Sequence, residues 1–294
     1  MRLRLLIVAA AASVLGLLLL GQNAAAQERE EITMSPAQLR VGGEPGAPVS
    51  GKFKVANTGE VEFEFKVYAN PYSVTNESYQ ADYENEAARG DAHKWVSFDI
   101  TSGTLAPREI AEISYTFTPP DNATPGSHYG VIFAETVPPD NAADVVVRAK
   151  RVGSVVRLNV AGDTALDGRT ESIQLPSVWW QSSIVAGIRV ENTGNTEFDA
   201  RTTLKIETLL GGELYNDEKT HAVFPGYPRY IEQDWGGNWR FGLYRATVTS
   251  DVLGEQTIVK RWVLLLPAWL ISTLSILAIA TAMYVGFRHL QRRR

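Results

Sequence analysis

Two uninterrupted apolar runs bracket the chain, and between them hydrophobic and polar residues alternate. The first run, Leu5 to Leu20, follows Arg2 and Arg4 and closes on Ala24-Ala25-Ala26 before Gln27. A basic start, an apolar middle and small residues at the end predict a secretory signal peptide over 1–26, either removed or retained as an anchor. The second run, Val263 to Phe287, holds 25 residues and no charge. As a helix it would be roughly 37 Å long at about 1.5 Å per residue, enough to cross a bilayer. A transmembrane helix is predicted over 262–287, with Trp262, Trp269 and Tyr284 placed for the two interfaces. The tail 288–294 carries Arg288, Arg292, Arg293 and Arg294 and no acid, which predicts a cytoplasmic C-terminus. The expected layout is a single-pass type I membrane protein with its body, 27–261, outside.

Within the body a pattern recurs: Val55-Ala56-Asn57-Thr58-Gly59-Glu60-Val61-Glu62-Phe63 and Val190-Glu191-Asn192-Thr193-Gly194-Asn195-Thr196-Glu197-Phe198 share V-x-N-T-G-x-x-E-F. One repeat at so long a spacing predicts two tandem domains rather than a solenoid. After the first copy Val61, Phe63, Phe65 and Val67 alternate with Glu60, Glu62, Glu64 and Lys66. After the second, Phe198, Ala200, Thr202, Leu204 and Ile206 alternate with polar residues. Period two with one apolar face marks strands, and Asn-Thr-Gly between them predicts a hairpin whose Gly59 or Gly194 supplies a positive φ. Ile113 to Phe117, Tyr129 to Val137, Val152 to Val160, Phe241 to Thr249 and Gln256 to Val263 read as further strands. The fold class is therefore all-β: two tandem immunoglobulin-like β-sandwich domains, 27–162 and 163–261, plus the signal peptide and one C-terminal transmembrane helix. Asn70 to Lys94 breaks the alternation and reads as a long loop, either functional or a solvated excursion.

Charge and chemistry narrow the function. Setting aside two N-terminal and four C-terminal arginines leaves 22 basic residues against 33 acids in the body, a formal net charge of −11. No basic stripe for nucleic acid exists there. The chain has no Cys, so neither disulfide nor thiolate chemistry is available. No G-x-S-x-G, H-E-x-x-H, P-loop, G-x-G-x-x-G or EF-hand pattern occurs. Ser127 and His128, adjacent in a predicted strand, would point to opposite faces and not act as nucleophile and base. Asp121-Asn122 and Asp140-Asn141 lie in two Pro-Pro-Asp-Asn-Ala segments, where turn chemistry competes with a calcium reading. No catalytic residue, cofactor or metal is predicted, and the protein is expected not to be an enzyme.

Aromatic residues are the remaining candidates. Trp179-Trp180 precede a strand, and Trp235 and Trp239 flank Gly236-Gly237 in what reads as a turn. Tyr72, Tyr79 and Tyr83 in the long segment, with Trp95 beside it, are predicted to line a ligand or partner surface, since rings stack on sugar faces and anchor protein interfaces.

Taken in order, Ser35-Pro36-Ala37, Pro45-Gly46, Val49-Ser50-Gly51, Val55-x-Asn57-Thr58-Gly59, Val67-Tyr68, Trp95, Leu105-Ala106-Pro107 and Pro125-Gly126-x-x-Tyr129 resemble the peptidoglycan-binding domain of WxL-interacting proteins. The resemblance covers residues 31 to 160 and fades over 166 to 261. It implies a Gram-positive cell-surface protein that binds peptidoglycan or another wall glycan, or a wall-associated surface protein, in adhesion or scaffolding. It places no ligand residue. The alternative is a structural or chaperone-like assembly subunit that pairs a sandwich-edge strand with another surface protein.

Overall fold

The computed structural model describes residues 31–138, 149–179, 183–236, 241–266 and 268–291. The signal peptide, Trp180, Trp239, Asp140, Asn141 and the last three arginines lie outside these residues.

The first sandwich is built from β1 (Ile32–Ser35), β2 (Gln38–Gly43), β3 (Val49–Asn57), β4 (Phe63–Pro71), β5 (Ser73–Val74), β6 (Ala81–Asp82), β7 (Val96–Phe98), β8 (Ser102–Leu105), β9 (Ile110–Phe117), β10 (Gly126–Val137) and β11 (Arg151–Val160). One sheet runs β1-β3-β9-β7 and the facing sheet β2-β11-β10-β4-β8, while β5 and β6 pair as a small ribbon. Inward residues of both sheets, among them Phe53, Val55, Phe65, Val67, Ile113, Phe117, Val156 and Leu158, close one core. Each such side chain contributes about 1.5–3 kcal/mol on full burial.

The second sandwich comprises β12 (Gly168–Gln174), β13 (Val178–Trp179), β14 (Ser183–Asn192), β15 (Phe198–Thr208), β16 (Glu213–Val223), β17 (Arg229–Gly236), β18 (Gly242–Val252) and β19 (Glu255–Leu265). Its sheets run β12-β14-β17 and β13-β19-β18-β15-β16. A separate core gathers Ile184, Ile188, Val190, Leu204, Ile206, Val248, Val263 and Leu265. The helix α1 (Ala268–Gln291) follows. Over Ala268–His289 it is long and apolar enough to cross a membrane.

Four expectations are corrected. The Asn-Thr-Gly turns are not hairpins: β3 pairs with β1 and β9, whereas β4 pairs with β10 and β8, so the chain crosses from one sheet to the other. The second copy does the same between β14 and β15. Neither Gly59 nor Gly194 takes a positive φ. The Asn holds the arch instead. Asn57 accepts the Gly59 N–H at 2.9 Å and donates to the carbonyls of Val61 and Leu105 at 2.7 and 3.0 Å. Asn192 accepts the Gly194 N–H at 3.0 Å and donates to Thr196 and Val223, both at 2.9 Å. Both amides are almost fully buried, so these bonds replace the water that the crossing backbone loses.

The helix begins later than the apolar run does. Val263 and Leu265 are fully buried strand residues of the second core, and α1 starts at Ala268. Trp235 lies in β17 rather than in a turn, its ring 5.2 Å from Tyr244 in the second core. The segment 70–94 is not an open loop: β4 extends to Pro71, β5 and β6 pair, and a 3-10 turn forms at Ala92–Trp95. It lies over the outer face of β10, which explains why that strand is apolar on both sides, with Tyr129, Val131, Ile132, Phe133 and Ala134 all buried.

Candidate functional site

The three tyrosines meet at the seam between the sandwiches. The Tyr72 ring lies 5.8 Å from Tyr83, 6.5 Å from Tyr129 and 6.1 Å from Phe224 of the second sandwich. The Tyr79 ring is 5.0 Å from Phe224 and lies under the Arg229 guanidinium at 4.3 Å. Its hydroxyl donates to the Tyr227 carbonyl at 2.8 Å and accepts the Phe224 N–H at 2.9 Å. Burial pushes the Tyr79 phenol up to about 12. Tyr83 stands edge-on to Phe133 at 5.4 Å. All three are half-buried. Trp95 is separate from them: it packs on the first core with its ring 4.7 Å from His128.

Ser127 and His128 do point apart. His128 is buried, its Nδ1 2.6 Å from Asp91 Oδ1 and its Nε2 2.7 Å from the Thr124 carbonyl. Burial opposes ionisation of Asp91, yet the bond and charge of His128 outweigh it and hold the carboxyl below its usual range. Ser127 faces the second sandwich. Its N–H donates to the Asn195 carbonyl at 2.9 Å, and its Oγ accepts the Glu197 N–H at 2.9 Å.

Glu197 stands in the E position of the second V-x-N-T-G-x-x-E-F copy, and alternation alone puts it on a solvated face. The seam buries it instead, against Arg157 of β11, with Nη1 2.5 Å from Oε1. Burial is the largest influence on this carboxyl and pushes it upward, against the Arg157 charge. Tyr129 Oη, Arg157 Nε and Glu197 Oε2 are all buried here. Glu77 completes the seam: its carboxylate takes Arg189 Nε and Nη2 at 2.9 and 2.8 Å, and its carbonyl accepts the Tyr230 N–H at 2.8 Å.

Beside the seam runs a groove. One cavity of about 340 Å³ is lined by Arg40, Val41, Gly42, Arg157, Asn159 and Glu197, among others. A second, of about 460 Å³, shares Gly42 and Asn159 with it and continues to Ala47, Pro48 and Val49. The groove is lined from both β2 and its neighbour β11, and β2 pairs in parallel with β11 on one side and with no described strand on the other. The carbonyls of Ala37 and Gly43 accept the N–H groups of Val155 and Ala161 at 3.1 and 2.9 Å. In a ladder of period two, Leu39 and Val41 face β11 as well, so Gln38, Arg40 and Gly42 turn their backbone N–H and C=O groups outward. A Cβ added at Gly42 would meet nothing within 4 Å. By contrast β16, the long edge strand of the second sandwich, is lined by Glu213, Asp217, Glu218 and Lys219, the charges that guard an edge against pairing.

No family model matches the chain, and no curated protein matches it. Among solved structures it is similar to the class 5 fimbriae chaperone CfaA, at 12% identity over 79% of this chain and 99% of that one, with a TM-score of 0.39. It is also similar to the CsuC-CsuE chaperone-tip adhesion subunit pre-assembly complex of archaic chaperone-usher Csu pili from Acinetobacter baumannii. Identity there is 11% over 79% of this chain and 98% of that one, with a TM-score of 0.41. The CupB2 chaperone of Pseudomonas aeruginosa matches at 10% identity over 79% of this chain and 100% of that one, with a TM-score of 0.40. No residue role is carried over from these proteins.

Proposed function

We propose that the chain is a membrane-anchored, exported assembly subunit that binds an extended segment of another surface protein by adding it as a strand to the outer edge of β2. It acts by binding, not by catalysis. The observation that carries this reading is the unpaired β2 edge: backbone groups of Gln38, Arg40 and Gly42 turned outward, beside a groove lined from β2 and β11. Main-chain hydrogen bonds supply affinity in strand addition, and neighbouring side chains supply selectivity. Here Arg40 and Asn159 offer charge and hydrogen bonds along the groove. The eleven residues of β15 separate the seam from the end where α1 leaves. At about 3.3 Å per residue this holds the groove roughly 35 Å above a membrane in which α1 is the anchor. With the basic tail inside, the body faces outward as a type I protein.

The test places a photo-crosslinking amino acid at Arg40 in the full chain, in the cells that make it. One discrete protein adduct is expected, lost in Gly42→Pro and retained in Gly42→Ala. Proline removes an outward N–H while leaving the β11 ladder intact. An adduct indifferent to Gly42→Pro overturns strand addition. An adduct released only by muramidase digestion assigns the groove to the wall glycan implied by the resemblance to WxL-interacting proteins.

A further inference from the structure

Single exposed apolar side chains are ordinary on a protein surface, but a cluster at one end is not. Six of the large apolar side chains exposed among the described residues gather where the second sandwich hands over to α1. Leu210 is 96% exposed, Leu209 64%, Phe241 57%, Trp262 44%, Leu243 43% and Val178 40%. Strand register puts them level with one another. Thr208, the last residue of β15, stands opposite Tyr244 on β18. Tyr244 stands opposite Val263, Leu243 opposite Leu264, and Val178 opposite Leu264 on its other side. The Leu209-Leu210 turn therefore projects beyond the same sheet end as Phe241, Leu243 and the last residues of β19.

Three Cα–Cα steps lead from Leu265, buried in the core, to Ala268, the first residue of the helix. At no more than about 3.6 Å per residue they span at most about 11 Å. That is comparable with the polar layer on one side of a bilayer, roughly 5–8 Å. Charge changes along the same sheet in the order a membrane surface asks for. Arg245, paired to Glu207 at 2.9 Å, lies opposite Trp262 and Lys260 opposite Thr247, one and three pairs further from the helix than Tyr244 and Val263, and Arg261 falls between them. The Arg245 guanidinium lies 6.0 Å over the Trp262 ring. Apolar and aromatic groups nearest the helix, followed by a basic belt, match acyl boundary and anionic headgroups in turn.

We propose that this end of the second sandwich is seated in the lipid headgroup layer, with the Leu209-Leu210 turn dipping to the acyl boundary. The inference rests on α1 being a membrane anchor. Seating at several points would hold the body upright, so that the β2 groove is presented at a set height rather than swinging on the helix.

The chain has no native Cys, so single-cysteine variants of the full protein report one site each. Leu210→Cys, Glu255→Cys and Ser275→Cys are labelled with an environment-sensitive fluorophore in phosphatidylcholine–phosphatidylglycerol nanodiscs, with and without nitroxide lipid. Labels at 210 and 275 should lose about twofold in emission to the nitroxide, while the label at 255, at the opposite end of β19, should not change. Quenching at 275 without quenching at 210 overturns the seating and leaves the anchor standing. A blue-shifted but unquenched label at 210 overturns it too, and assigns the turn to a protein contact such as a second copy. No quenching at 275 refutes the anchor and the seating together.

Discussion

Tyr79→Phe isolates the seam from both cores. The substitution keeps the ring against Phe224 and under Arg229 and removes only the hydroxyl, which bridges the Tyr227 carbonyl at 2.8 Å and the Phe224 N–H at 2.9 Å. Each backbone group left without its partner costs about 1 kcal/mol or more, so the local opening of the seam should become about 2 kcal/mol easier. At 1.36 kcal/mol per decade that is roughly 30-fold faster hydrogen exchange at the Phe224 amide. The assay is native-state exchange on the full chain, with the buried β18 peptide around Ala246 and Val248 as an internal reference that should not change. The phenol adds an independent check. Its ordinary value is 10.0, and burial raises it to about 12 in the folded chain. A group that holds its proton more tightly when folded contributes fully below the unfolded value and loses that contribution as pH climbs through the folded one. Phe224 exchange, corrected for intrinsic rate, should thus accelerate between about pH 10 and 12 in the native chain and not in Tyr79→Phe. Exchange at Phe224 within threefold of the native rate would refute the account of the Tyr79 hydroxyl as a bridge across the seam. So would an identical alkaline response in both chains.

Arg157→Leu should destabilise the full chain by about 3 kcal/mol or more in urea unfolding, because it strands the buried Glu197 carboxylate. A cost below about 1 kcal/mol would mean the pair is solvated. Gly126→Ala should lower stability by about 2 kcal/mol or more, since this residue sits at φ +105 and a Cβ there would lie 2.1 Å from the Asn195 carbonyl oxygen. Gly42→Ala, in open space on the β2 edge, should stay within about 0.5 kcal/mol of the native chain, and thermal unfolding of the two alanine variants side by side checks the contrast.

The amino-acid sequence by itself determined the strands, the two-unit plan and the apolar C-terminal helix, because each is written in a local period. Phe63, Phe65 and Val67 alternate in any sheet that buries one face, and a run free of charge is visible without a partner. Which strands pair is not local. A hairpin and an arch show the same alternation on both sides of Asn-Thr-Gly, and only the core enclosed between the sheets separates them. There Asn57 and Asn192, not the glycines, hold the crossing. Val263 and Leu265 are apolar whether they face lipid or a sandwich interior, so the start of the helix awaited the packing of β19. Tyr72, Tyr79, Tyr83 and Glu197 could be picked out or passed over in the sequence, but what surrounds them comes from far along the chain. Tyr79 meets Phe224 across 145 residues and Arg157 meets Glu197 across 40. Burial conferred by so distant a segment leaves no periodic trace beside the residue it buries, and tertiary structure alone decides whether a ring is a surface or a seam.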